Sequence, residues 1–171
     1  MAHNGDREIF DSAMKVTGEL DRLFGIVELY LFNALRILLK ISPQAARAIY
    51  YALDAWPARK AVLTRVASEI GDEIDIVLMS RLIEAAEKAN NQRKQVAHGI
   101  LLFGIPGTLQ SRILKTKTGA TLTVTEGFLN ALQVNSMAAF HEAQKAYLEL
   151  ASKLGQDSTV LWEGIIMQEQ A

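Results

Sequence analysis

DREIFDSAMKVTGELDRLFGIVELYLFNALRILLK, residues 6–40, is the stretch that decides the fold. Ile9, Ala13, Val16, Leu20, Leu23, Val27, Leu31, Ala34 and Leu38 recur at steps of three or four. That is the period of one face of an α-helix, so the spacing predicts a single long helix over about 6–40. Up to Leu23 the apolar stripe is narrow. Beyond it Ile26, Leu29, Phe32 and Ile37 make other faces apolar too, and such a helix needs cover on several sides. A second subunit is one source of that cover. The run from Leu23 to Ile41 is long enough for a membrane span, but Glu28, Asn33, Arg36 and Lys40 interrupt it. A charge at mid-bilayer costs about 2.5–3.5 kcal/mol even on a permissive scale, so a buried helix of a soluble protein is expected and no membrane partner.

Outward from this helix, Ser42-Pro43 reads as an N-cap and first helical position, opening a helix to about Leu53. Pro57 opens another to about Ile70, because proline is tolerated in a first turn. A long helix follows from about Asp72 to His98, with Gly99 as its C′ residue. The texture then changes. Residues 100–125 contain Gly104, Pro106, Gly107 and Gly119 among β-branched residues. Ser111–Thr116 and Ala120–Thr125, joined across Lys117-Thr118-Gly119, predict a small β-hairpin. The helical period returns in Leu129, Leu132, Ser136, Phe140, Ala143, Tyr147, Leu150 and Leu154 and stops at Gly155. A short amphipathic tail helix is expected over about 158–170. The expected class is therefore all-α: an antiparallel helical bundle with a small β-hairpin insertion, forming one domain over residues 1–171.

Composition narrows the chemistry. The chain has 171 residues, 18 basic against 19 acidic, for a formal charge of -1. That excludes a globally basic nucleic-acid binder but not a local basic site. There is no cysteine, hence no disulfide framework, thiolate metal site or thiol nucleophile. With only His3, His98 and His141, no multi-histidine metal site and no cofactor are expected. No Gly-rich phosphate loop or Ser-centred elbow is present. The polar start, MAHNGDREIF, lacks a signal-peptide core, so the expectation is a cytoplasmic protein.

The stretch that carries chemistry is KANNQRKQVAHG, residues 88–99. Leu78, Leu82, Ala85, Ala89, Arg93 and Val96 form one helical line, so Arg93 stands where an apolar residue is expected. Either something needs or pairs a guanidinium there, or the side chain bends off the stripe to reach water. Glu28, itself inside an apolar region, is one candidate partner. His98 ends the same helix. A helix C-terminus favours its protonated form, and its ordinary pKa near 6.5 suits proton transfer around neutral pH. The structural alternative is a histidine that only satisfies terminal carbonyls.

Taken together, Arg93-x-x-x-x-His98 followed by glycine resembles the R-x4-6-H signature of HEPN domains (higher eukaryotes and prokaryotes nucleotide-binding). The string Gln-Arg-Lys-Gln-Val-Ala-His-Gly is similar to the R-N-x-x-A-H-G form of many small bacterial members, and a long helix in a helical bundle is the same context. The resemblance covers about a dozen residues closely and the helical body loosely. It implies a metal-independent endoribonuclease, often a toxin of a toxin–antitoxin pair or an anti-phage defence component. His98 would then be general acid or base, and Arg93 would stabilise charge on the phosphate. Lys94 stands where Asn is frequent, leaving Asn90 and Asn91 as candidates for substrate contact beside Lys94. Ile100 stands where some toxin members carry a Tyr that a partner nucleotidyltransferase modifies. The resemblance also implies a homodimeric cleft, with RNA and an antitoxin-like protein as partners. Five residues on an ideal helix turn ~500° and rise ~7.5 Å, so Arg93 and His98 of one copy do not naturally meet on one phosphate: either the last turn unwinds or two copies build a shared cleft. The alternative reading is a non-catalytic dimeric helical module that binds RNA, a nucleotide or a protein.

Arg112, Lys115 and Lys117 put charge on the expected hairpin, either to guide RNA or to protect a sheet edge. His141 reads as a surface or boundary residue, and Trp56 and Trp162 as packing anchors.

Overall fold

The computed structural model describes residues 4–97, 99–102, 112–115 and 121–156. Among these described residues there are five helices: α1 (Asn4–Leu39), α2 (Pro43–Tyr51), α3 (Trp56–Ile70), α4 (Glu73–Ala97) and α5 (Glu126–Lys153). Between α4 and α5 lie three short strands, β1 (Gly99–Leu102), β2 (Arg112–Lys115) and β3 (Thr121–Thr123).

The helix boundaries follow local chemistry. Ser42 is the N-cap of α2, its hydroxyl accepting from the Ala45 amide at 3.2 Å, with Pro43 in the first turn. Asp72 and Asp75 cap the start of α4 reciprocally: the Asp75 amide donates to Asp72 Oδ1 at 3.0 Å and the Asp72 amide to Asp75 Oδ2 at 3.2 Å. Thr125 Oγ1 accepts from the Phe128 amide at the start of α5. Two helices end in the same motif. At α5, Gly155 (φ 68°) donates to Ser152 O and Gln156 to Ala151 O. At α1, Lys40 (φ 52°) donates to Ile37 O and Ile41 to Arg36 O. Both are Schellman caps, which need a left-handed residue. Glycine fills that role at one and lysine, at a steric cost, at the other.

The all-α class fits the helical body, but the insertion is not the two-stranded β-hairpin expected, and that part of the expectation is corrected. β1 pairs antiparallel with β2 (Gly99 opposite Lys115, Leu102 opposite Arg112), and β2 pairs antiparallel with β3 (Arg112 opposite Thr123). The sheet takes in Gly99–Leu102, read from the sequence as a cap and connection. Its partner strand begins ten residues further along the chain, so local pattern does not reveal it. Gly99 accordingly opens β1 rather than capping α4. The expected tail helix over 158–170 lies outside the described residues.

Contacts group the chain into two compact units. The first comprises Met1–Ile26 and Ala86–Phe140. Its core packs Ala13, Val16 and Leu20 of α1 with Val96 of α4, Val124, and Leu129 and Leu132 of α5. Glu19 of α1 accepts a hydrogen bond from Gln133 of α5 in the same unit.

The second unit comprises Val27–Ala85 and His141–Ala171. Here Tyr30 of α1 stacks on Tyr147 of α5 with ring centroids 5.1 Å apart. Tyr50 of α2 is fully buried and meets the Phe32 ring edge-on. Arg81 of α4 donates to Glu142 and Glu149 of α5, and Lys153 at the end of α5 pairs with Asp72 and Asp75 at the start of α4. These pairs set α4 and α5 antiparallel in this unit. In this unit Leu29 and Phe32 are half-buried and Ile37 is buried within the single chain. The apolar half of α1 therefore finds cover without a second subunit, and that argument for a dimer falls.

Candidate functional site

Arg93 lies one turn from the end of α4, in the first unit. Its side chain is 32% exposed, neither buried in the stripe nor free in water. Nε donates to Asp21 Oδ1 at 2.6 Å, and the guanidinium carbon stands 5.3 Å from the centre of the Phe24 ring. Asp21 and Phe24 are three apart on α1, so both point to the same side of that helix. Phe24 is itself buried against Ala89 and Ala139. Ala89 is one turn before Arg93, and its small side chain leaves room for the aromatic ring. The ring in turn lifts the guanidinium out of the apolar line. This explains how Leu78, Leu82, Ala85, Ala89 and Val96 are all buried while Arg93, on the same line, is not.

The suggested partnership between Glu28 and Arg93 is corrected. Glu28 is bound by Arg59 of α3, in the second unit. Arg59 also donates from Nε to Leu53 O at 2.7 Å and lies 5.0 Å from the centre of the Tyr50 ring. This clamp ties the α2–α3 connection to α1. Burial, the Glu28 charge and the neighbouring Tyr51 push the Tyr50 phenol up, with Arg59 opposing them.

The other candidate side chains separate. Asn91 and Lys94 are exposed and three apart, so they share an outward face of α4. Asn90 is only 3% exposed and faces the interior. A polymeric substrate meeting this helix from outside touches Asn91 and Lys94 before Asn90. His98 lies outside the described residues, as do His3, Lys117 and Trp162. His141 is exposed on α5 and Trp56 half-buried at the start of α3.

Asp21 and Phe24 were not legible as site residues. Asp21 flanks the stripe residue Leu20 as any solvent-facing acid does, and nothing local names its partner on α4. Ser136 shows the converse. It occupies a core position of α5 in the sequence pattern and is 2% exposed, with no partner for its hydroxyl among the described residues.

Among the described residues no cluster of three or more acidic or histidine side chains is placed to hold a metal ion. No helix among them is long and apolar enough to cross a membrane. Comparison with protein-family models, characterised proteins and solved structures found no match.

Proposed function

We propose that the chain is a HEPN-like metal-independent endoribonuclease acting as a toxin or defence component, with Arg93 and His98 as its catalytic pair. The observation that carries this reading is the state of Arg93. Its guanidinium is aimed by a carboxylate and an aromatic face, and the side chain as a whole is about one-third exposed. A planar guanidinium on a part-exposed side chain matches phosphate oxygens in a fork. Lys94 and Asn91, exposed on the same two turns, would hold adjacent phosphates or sugars.

In this reading Arg93 stabilises charge that develops on the phosphate. His98, five residues on, exchanges a proton with the attacking 2′-hydroxyl or the leaving oxygen. A second copy of the chain would supply the His98 that meets this Arg93, because a separation of five residues along an ideal helix turns ~500°. The test is cleavage of RNA in excess EDTA, leaving cyclic phosphate ends, with loss in both His98→Ala and Arg93→Ala. Cleavage unchanged by His98→Ala overturns the assignment.

The Asp21 contact also supports a second reading. A guanidinium already neutralised by a carboxylate suits a non-catalytic module that binds RNA, a nucleotide or a protein partner. In that case binding survives His98→Ala and no turnover is seen with the parent protein.

A further inference from the structure

Basic charge collects on one part of the second unit. Between Glu28 and Glu69 the sequence has six basic residues (Arg36, Lys40, Arg47, Arg59, Lys60 and Arg65) against one acid, Asp54, although the chain as a whole has 18 basic and 19 acidic residues. Arg47 lies on α2, and Arg59, Lys60 and Arg65 on α3. Arg47 is exposed and has no acidic partner among the described residues.

Beside Arg47 stands an aromatic ring that the fold holds in place. Tyr51 is one helical turn further on, at the end of α2, and is 44% exposed. The buried Tyr50 ring meets it edge-on, with centroids 5.2 Å apart and planes at 84°. The guanidinium carbon of Arg59 lies 5.7 Å from its centre and that of Arg47 6.0 Å. Glu28 and the Leu53 carbonyl fix Arg59 where it stands. Both guanidinium distances exceed the ~3.5–4 Å of direct carbon contact, so the cations flank the ring without covering it. A ring already held loses little rotamer freedom when a ligand stacks on it.

We propose that Tyr51 and Arg47 form a binding site for single-stranded RNA, with an unpaired base stacked on the Tyr51 ring and a neighbouring phosphate on Arg47. The local excess of positive charge attracts a polyanion, which the net charge of the whole chain does not. The ring selects a nucleic acid over an acidic protein, because every base offers a π-face and acidic side chains offer none. It also selects a single strand, because the bases of a duplex are stacked on one another and closed to Tyr51. This inference rests on RNA being the substrate of the proposed function. It adds a contact site on α2 that the chemistry at Arg93 does not require.

The test is fluorescence anisotropy of a short labelled 2′-O-methyl oligouridine, which cannot be cleaved through its 2′-oxygen. Both positions are exposed, so the variants keep the fold, and far-UV circular dichroism checks this. Tyr51→Ala is expected to weaken binding about fivefold or more, and Tyr51→Phe, which keeps the ring, less than about twofold. Arg47→Ala is expected to reduce the slope of log affinity against log salt by about 0.7, the signature of one phosphate contact on a single strand. The parent protein is expected to bind an abasic oligomer of the same length and charge about fivefold or more weakly than the oligouridine. No binding by the parent, equal affinity for the abasic oligomer, binding unchanged by Tyr51→Ala, or a salt slope unchanged by Arg47→Ala overturns the proposal. The ribonuclease reading stands or falls separately. RNA cleaved by the parent while Tyr51→Ala binds as the parent does keeps that reading and removes this site; Tyr51-dependent binding without cleavage does the reverse.

Discussion

Arg93→Ala separates a functional arginine from a structural one, because the structure bounds what its removal costs the fold. The ion pair with Asp21 joins side chains that are 32% and 49% exposed. Water and salt screen such a pair, and its worth is about 0.2–1 kcal/mol. The guanidinium over the Phe24 ring, at 5.3 Å, adds about 0.5–1 kcal/mol. Arg93→Ala is therefore expected to cost about 1–2 kcal/mol, a minor part of the roughly 5–15 kcal/mol of a typical domain. If Arg93 stabilises phosphate charge in the transition state, the same change costs about 10²–10³ in rate. Urea unfolding followed by far-UV circular dichroism gives the first number, and single-turnover RNA cleavage the second. A double-mutant cycle with Asp21→Ala should show a coupling of about 0.5 kcal/mol that shrinks at high salt. A loss of stability above about 3 kcal/mol for Arg93→Ala would refute this reasoning, since only a desolvated charge pair costs that much. So would a coupling to Asp21 that salt leaves untouched.

Three other outcomes follow from the same structure. Lys40→Gly should raise stability by about 0.5–1 kcal/mol, because it removes a lysine from the left-handed position of a Schellman cap, whereas Lys40→Ala should change little; urea titrations of both decide it. Arg59→Leu should lower stability by about 2–3 kcal/mol, because it strips a charged partner from Glu28, whose side chain is 20% exposed, and adding Glu28→Gln should recover part of the loss in the same titration. Burial holds the Tyr147 phenol up at about 12, against an ordinary value of 10.0, with nearby Arg36 opposing the shift. A raised folded pKa gives stability that is fully present below pH 10 and is lost as pH rises toward 12. Unfolding measured at pH 9 and pH 11 should show that fall, and Tyr147→Phe should make it shallower.

The sequence was informative where the determinant was local. Ser42-Pro43 holds both the cap and the first helical residue of α2, so that start could be read from two adjacent letters. Gly155 ends α5 for the same reason. Lys40 ends α1 in the same geometry, but lysine carries no signal for a left-handed backbone, and α1 was read one residue long. The sheet was misread because Gly99–Leu102 is a short apolar run with no period to separate strand from connection, and its partner strand begins at Arg112. Charge partners were least legible of all. Glu28 and Arg93 each stood out as polar residues in apolar surroundings, and pairing them satisfied both. The chain satisfies each with a different residue, Arg59 and Asp21, chosen by packing of distant segments. Arg93 was singled out because it broke a helical stripe, whereas Asp21, which holds it, broke none.

The central claim is that Arg93 and His98 cleave RNA without a metal. Its most direct measurement is the rate of cleavage of a single-stranded RNA in excess EDTA by the parent protein and by His98→Ala, both shown to be folded. The account predicts EDTA-resistant cleavage that ends in cyclic phosphate and is abolished by His98→Ala. No cleavage by the folded parent protein, or cleavage that His98→Ala leaves intact, contradicts it.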